Sequence, residues 1–305
     1  MITQKSALSP FAPPGTAEYT EATASYNVSA QPAPRGALVA RTSRDVVRAV
    51  RAADRLGLGL LVQATGHSAG SAAPMDDGLL VRTAFDAPIR IDVERRIATI
   101  PTGARWDDVV TLAQEHGLAA AHGSSGTVGA VGYLVRGGMS FYGRQVGLAA
   151  NLVRSISVVL ADGKLVRATA NEHADLFWAL RGGDGGFGVV TQIEVSLFPM
   201  AQVITGGIFW SAEYAEPILD RWQQWCRTAP ERASTSMRLL NLPPLPGIPD
   251  QIAGRPVIGL DGAVSVPQES DLASGLRILD QMLPPLRAVA EPLLDTWAPK
   301  RRSCC

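Results

Sequence analysis

A histidine stands beside a serine in the run Gln63-Ala64-Thr65-Gly66-His67-Ser68-Ala69-Gly70, and this run supports two incompatible chemistries. Taken as Gly-x-Ser-x-Gly through Gly66, Ser68 and Gly70, it is the nucleophile elbow of a serine hydrolase. Taken as Gly-His-Ser among small residues, it is a turn whose backbone cradles a phosphate and sets an imidazole beside a cofactor. An elbow must pass from strand straight into helix, exposing the serine at the turn. The apolar segment 58–62 supplies the strand, but Ser71-Ala72-Ala73-Pro74 follows, and no helix runs past Pro74. Only 67 residues precede Ser68, which leaves little room for a central sheet and an oxyanion loop. His122 and His173, the histidines available as base, fall in a loop and at a helix cap with no orienting acid in view. The hydrolase remains as the alternative to a cofactor loop.

Two other loops carry the same decision. Gly123-Ser124-Ser125-Gly126-Thr127-Val128-Gly129-Ala130-Val131-Gly132 continues to Gly137-Gly138 and Gly143. So many glycines among apolar residues suit a backbone that wraps a large planar or anionic ligand with N–H groups. Val128, Val131 and Leu134 give that loop an apolar anchor. Gly183-Asp184-Gly185-Gly186-Phe187-Gly188 is formally Gly-x-Gly-x-x-Gly. A Rossmann fingerprint needs a strand before it and a helix after it. Here a helix precedes and the β-branched run 189–195 follows, so that fold is excluded, while close backbone approach to a ligand is not. His116 lies at a helix end, where the dipole suffices to explain it. His173 reads as a surface residue and His122 as a secondary candidate beside the glycine loop. No His, Cys, Asp and Glu have metal-ligand spacing. The tryptophans read as core.

The elements that must hold these loops are short strands in hairpins mixed with helices. Thr42 with Asp45 forms a capping box for a helix carrying Val46, Val50, Ala53 and Leu56 and stopped by Gly57. Segment 58–62 then reads as a buried strand. Residues 89–93 and 97–100 form one hairpin. Residues 155–160 and 164–168 form another around Asp162-Gly163, a type I′ signal. Residues 106–116 are helical. Asn171 caps a short helix with Leu176, Phe177 and Leu180, ended by Gly182. Composition shifts near Pro199. Strands at 203–210, 236–240 and 256–266 follow, with helices at 216–228 and from 268 to about 282. This order favours α+β over a doubly wound parallel sheet.

Composition sets outer bounds. The chain has 305 residues, 46% of them hydrophobic, with 28 basic and 28 acidic side chains. The zero formal net charge argues against a nucleic-acid surface, and no stretch is long enough to span a bilayer. Residues 1–15 lack the pattern of a secretory signal. Cys226, Cys304 and Cys305 make no disulfide framework or zinc spacing, so a cytoplasmic protein is expected.

In combination the three loops resemble the flavin domain of the FAD-linked oxidases, the p-cresol methylhydroxylase and vanillyl-alcohol oxidase superfamily, in its berberine-bridge-enzyme branch. The carriers are Gly66-His67-Ser68, Thr127-Val128-Gly129 through Gly137-Gly138, Gly147-Leu148-Ala149-Ala150-Asn151, Ala161-Asp162-Gly163, and the run from Asp175 through Gly183 to Phe187-Gly188-Val189-Val190-Thr191. The resemblance implies an α+β architecture in three parts: an extended lead-in over 1–32, a two-subdomain FAD-binding domain over 33–200, and part of an α+β substrate domain over 201–305. It implies FAD as cofactor, a small-molecule substrate, and hydride transfer from an alcohol, amine or sugar to flavin N5 with O₂ as acceptor. The residues it places at the cofactor are Gln63, Ala64, Thr65, Gly66, His67 and Ser68 around the pyrophosphate. Ser125, Thr127, Val128, Gly129, Gly132, Gly137, Gly138, Gly188, Val189 and Val190 would lie along the rest. A histidine at the position of His67 commonly bonds the flavin 8-methyl carbon; the alternative is a noncovalent His67 that hydrogen-bonds its loop.

Four departures from the branch pattern stand out. Ser125-Gly126 replaces the cysteine and proline of a second attachment point, which excludes a doubly linked flavin. Gln63 replaces an arginine, Asn151 an aspartate, and Gly186 an asparagine. The family's usual catalytic tyrosine or acid comes from sequence beyond the length of this chain. No catalytic base is therefore named, and a truncated homologue that binds FAD without turnover is the other expectation.

Overall fold

The computed structural model describes residues 8–30, 32–71 and 77–300. Pro74 and the Cys304-Cys305 pair lie outside the described residues. The lead-in is not uniformly extended: it holds a short helix, α1 (Ala17–Thr23), capped by the Thr16 hydroxyl, which accepts from the Tyr19 amide. Strand β1 (Gly36–Ala40) leads to α2 (Ser43–Leu56), followed by β2 (Leu60–Gln63) and β3 (Leu79–Thr83). The expected capping box is present, with the Asp45 amide donating to the Thr42 hydroxyl and the Thr42 amide to the Asp45 carboxylate. Gly57 stops α2 in the left-handed region at φ 63°. The three strands pair in parallel in the order β1-β3-β2. No hairpin joins them, so no turn motif announced this sheet. It leaves β2 at an edge, not in the interior expected for segment 58–62.

A second sheet is antiparallel throughout. Its members are β4 (Arg90–Asp92), β5 (Ile97–Pro101), β7 (Val153–Val159), β8 (Leu165–Thr169) and β9 (Val189–Ser196), in the order β4-β5-β9-β7-β8. Helix α3 (Trp106–Gln114), the short pair β6 (Leu118–Ala119) with β10 (Phe198–Pro199), and α4 (Ala130–Val135) pack around it, with α5 (Gly143–Val146) and α6 (Ala174–Leu180) beside them. Ile100, Trp106, Leu134, Ile156 and Ile193 are fully buried at its centre. Both predicted hairpins exist, but the β7–β8 turn is not type I′. That type needs positive φ at both central residues, and here Gly163 alone has it, at 76°. The Gly163 amide bonds the Leu160 carbonyl and the Leu160 amide bonds the Lys164 carbonyl, a three-residue turn with a glycine bulge. Nor does Asn171 cap α6. The Thr169 hydroxyl accepts from the Asn171 and Glu172 amides, and His173 takes the left-handed cap position at φ 50°.

Beyond Met200 the chain builds a separate antiparallel sheet from β11 (Gln202–Ser211), β12 (Ala233–Asn241), β13 (Pro256–Val266), β14 (Leu294–Asp295) and β15 (Ala298–Lys300). The order is β12-β13-β11-β14, with β15 also on β11. Helices α7 (Ala215–Cys226) and α8 (Leu272–Arg287) cover one face, where Trp210, Ile208 and Leu260 meet Ile278, Met282 and Leu286. Helix α8 runs past the expected end near Met282, with Pro284 and Pro285 in its last turns. Arg144 ties this unit to the antiparallel sheet's side, donating to the carbonyls of Ala229, Pro230 and Ala233. Among the described residues no helix is long and apolar enough to cross a membrane.

Candidate functional site: a glycine-lined cavity at His67

A cavity of about 860 Å³ opens where the edge strand β2 faces the loops after β7 and before β9. That volume lies within the roughly 300–1,000 Å³ of small-molecule and cofactor sites. All three loops singled out above meet here. Gln63, Ala64, Thr65, Gly66, His67, Ser68, Val128, Gly129, Gly132, Gly138, Gly188 and Val189 line its wall.

The other four residues of that set do not line it. Thr127 and Ser125 stand behind His67: His67 Nε2 lies 3.1 Å from Thr127 Oγ1, which lies 3.0 Å from Ser125 Oγ. Gly137 turns the chain at φ 95° and its carbonyl accepts from the Ala150 amide. Val190 packs into the antiparallel core, because successive side chains of β9 face opposite ways and Val189 already takes the cavity side.

Much of the wall is apolar and uncovered. Val62 is 41% exposed, Phe187 45% and Met139 84%, and all three line the cavity. Exposed apolar side chains gathered in one concavity mark a ligand surface. Added Cβ atoms at Gly132, Gly185 and Gly186 would meet nothing, so these glycines leave open space for a ligand. Tyr133 lines the same wall; its hydroxyl is buried without a hydrogen-bond partner among the described residues, and burial pushes its pKa up to about 12. The open glycines and the apolar wall fit a large, partly planar group.

Two residues at the site were missed by the sequence reading. Tyr26 stacks on His67, ring centroids 3.7 Å apart and planes 15° from parallel. The lead-in holds this stack by straddling the loop. The Tyr26 amide donates to the Thr65 carbonyl, the Asn27 amide to Gly66, and the Ser25 hydroxyl also to Gly66. A side chain at Gly66 would collide with Ser25, and its φ of 77° is also the left-handed region. No spacing in the sequence connects Tyr26 with a loop some forty residues away. The second is Arg136, which follows α4 and was passed over between the glycines of its loop. It pairs with Asp184 at 2.7 Å and donates to Ser71 Oγ at 3.3 Å.

His122 is a core residue. It is buried, with Nδ1 2.7 Å from the Gly123 carbonyl and its ring edge-on to Tyr142, and it does not line this cavity. Burial lowers its pKa. Among the described residues no group of three or more His, Cys, Asp or Glu is placed to hold a metal. Ser68 runs into a 3₁₀ turn, Ala69–Ser71, and not into the helix an elbow requires. The hydrolase reading has no support.

Residues 34–169, which include β1 through β8 and two of the three loops, match the family model of the FAD binding domain. This part of the chain is similar to an FAD-binding domain. Over 196 residues it is 32% identical to a carbohydrate oxidase from Microdochium nivale, a match covering 63% of this chain and 40% of that protein. Over 185 residues it is 34% identical to the (R)-6-hydroxynicotine oxidase of Paenarthrobacter nicotinovorans, covering 60% and 40%. In fold it is similar to 6-hydroxy-D-nicotine oxidase from Arthrobacter nicotinovorans, with a TM-score of 0.79 at 24% identity over 95% of this chain and 61% of that one. The chain thus spans 40% of the length of the two sequence relatives and 61% of the fold relative. The matched residues supply most of the cavity wall, and the loop from Asp184 to Val189 completes it from outside the match.

Proposed function

We propose that this chain belongs to an FAD-dependent oxidase that removes a hydride from an alcohol, amine or sugar-like substrate and passes the electrons to O₂. The observation that carries the reading is His67 in the glycine-lined cavity, held by Thr127 on one side and Tyr26 on the other. The carbohydrate and hydroxynicotine oxidases among its relatives supply the substrate classes. Bound FAD supplies a two-electron acceptor, and the protein supplies binding, orientation and exclusion of water. In this reading the backbone of residues 63–68 takes the pyrophosphate, while Val128-Gly129, Gly132, Gly138 and Gly188-Val189 line the remainder. Thr127 and Ser125 act through His67, and Gly137 by shaping its loop.

We further propose a single covalent link from His67 to the flavin 8-methyl carbon. Its formation would replace a methyl C–H and the imidazole N–H by one C–N bond, and O₂ would take up the two electrons and two protons released, as H₂O₂. Thr127 occupies Nε2, so the hydrogen bond and the Tyr26 stack fix the ring's orientation before attack. Ser125, bonded to Thr127, offers no thiol for a second link. We divide the chain as a lead-in over 1–32, an FAD part over 33–200 and a substrate part over 201–305, supported by the change of sheet between β10 and β11.

The test is the visible spectrum of the purified protein. Flavin bands are expected, with flavin staying in the pellet after acid precipitation and moving to the supernatant in His67→Ala. A colourless protein that also fails to take up added FAD overturns the reading. Anaerobic mixing with sugars, amines and alcohols should bleach the bands; persistent colour with every class favours an FAD-binding homologue without turnover.

A further inference from the structure

Arg136 is the only Lys or Arg among the described residues that line the cavity. Asp54 and Asp184 line it too, so without Arg136 its walls would carry only negative charge beside the His67 imidazole. A pyrophosphate brings about two further negative charges, and backbone N–H groups alone leave them without a counter-ion. Gln63, where a cation would sit nearest the loop, cannot act as donor there. Its amide nitrogen is spent on the Ala22 and Ala24 carbonyls of the lead-in, at 3.1 and 3.3 Å.

Arg136 is built to reach both loops. The carbonyl of Val135 accepts from the amides of Gly182 and Asp184, at 2.9 and 3.0 Å, which pins the base of Arg136 to the glycine loop. Its guanidinium spans from Asp184 to Ser71, the far end of the His67 loop. A favourable charge at the end of α4 would explain an arginine here, but not one whose two partners lie in the two ligand loops. The pair with Asp184 is about half exposed on each side, and pairs of that kind contribute little and exchange readily. A guanidinium also matches phosphate oxygens two at a time, which an ammonium does not.

We infer that Arg136 is the cation of a dinucleotide site: it neutralises the cofactor pyrophosphate, exchanging Asp184 for phosphate oxygens while Ser71 keeps it at the loop. The inference rests on the FAD reading but concerns binding, not turnover, so it can fail separately.

The experiment titrates flavin-free protein, expressed under riboflavin limitation, with ADP, FAD and adenosine by calorimetry at two salt concentrations. Arg136→Ala should weaken ADP binding at least tenfold and leave adenosine binding unchanged. Arg136→Lys should lose less, and Asp184→Asn should tighten ADP binding. Wild-type ADP affinity should fall more steeply with salt than that of Arg136→Ala. ADP affinity within twofold of wild type in Arg136→Ala, or an equal loss for adenosine, overturns the inference while leaving FAD binding intact. Failure of the wild type to bind either FAD or ADP overturns both readings. If Arg136→Ala does not fold, Asp184→Asn decides alone, and no gain in ADP affinity rejects the role.

Discussion

The parallel sheet beside His67 and the antiparallel sheet beyond Met200 use apolar residues in opposite ways. Strand β13 is central in its sheet and buried along nearly its whole length: α7 and α8 cover the face of Ile258, Leu260, Val264 and Val266, and Ala263 on the other face packs near Tyr142. Strand β2 is an edge whose residues are half-buried or exposed: Leu60 packs partly against α2 and Leu61 beside Ala22 of α1, while Val62 lines the cavity with no helix over it. One unit has its apolar faces closed by protein side chains. The other leaves part of its apolar surface for a ligand to cover, so its stability should depend on that ligand while the first unit's should not.

The sharpest break in this comparison is Trp210→Ala. Trp210 is fully buried and its indole N–H donates to the Ala290 carbonyl at 3.1 Å. Its loss should cost about 3–5 kcal/mol in denaturant unfolding. ADP affinity of the folded protein should stay at the wild-type value. A parallel loss of ADP affinity would mean that the two units are coupled more tightly than the comparison holds.

Val62→Asp probes the other side. The side chain is 41% exposed, so the substitution should change stability by less than about 0.5 kcal/mol. FAD at a hundred times its dissociation constant should stabilise the wild type by about 2.7 kcal/mol, and Val62→Asp should lose most of that gain. Equal stabilisation of both proteins, read by thermal shift with and without FAD, would show that β2 is not a ligand wall.

How much of this was legible follows the range of each signal. The Thr42–Asp45 box, the Gly57 stop and the two hairpins are written within a few residues, and the structure has them. The Gly-His-Ser loop and the glycine runs stand out in the sequence because close backbone approach demands glycine locally, and the structure brings them together at one cavity. The turn at Asp162-Gly163 was misjudged because one left-handed glycine serves two turn types. The edge position of β2, the Tyr26 strap and the Arg136 bridge depend on pairings across tens of residues, which a pattern of neighbours does not encode. Arg136 was hidden for a second reason: among so many glycines, the informative residue was the one that broke the pattern.

His122 gives the comparison a pH axis, because it is buried beside Trp106 and Tyr142 and does not line the cavity. Burial lowers its pKa, outweighing the opposing effects of the Gly123 carbonyl and the Asp107 carboxylate. The unfolded chain, with a histidine near the usual value of about 6.5, therefore binds the proton more readily than the folded one. This contribution is fully present above that pH and is lost as pH falls toward the lower folded value. His122→Gln should flatten stability against pH in that window without altering ADP affinity at pH 8. An unchanged slope would assign the acid sensitivity to other groups.

The smallest expected effect falls on Tyr26, and it separates holding a loop from holding a ring. The backbone bonds of residues 26 and 27 to Thr65 and Gly66 survive Tyr26→Ala, as does the Ser25 contact. What disappears is the stacked face against His67. Aromatic pairs contribute about 0.5–1.5 kcal/mol, and with Tyr26 60% exposed the loss should lie at the lower end. Total FAD binding should then hold, while the acid-stable fraction of flavin falls, because a ring free to rotate away from its Thr127 partner attacks less often. Tyr26→Phe, which keeps the face and drops the hydroxyl, should restore that fraction. If both substitutions lower it equally, the hydroxyl and not the stack is what the lead-in contributes to His67.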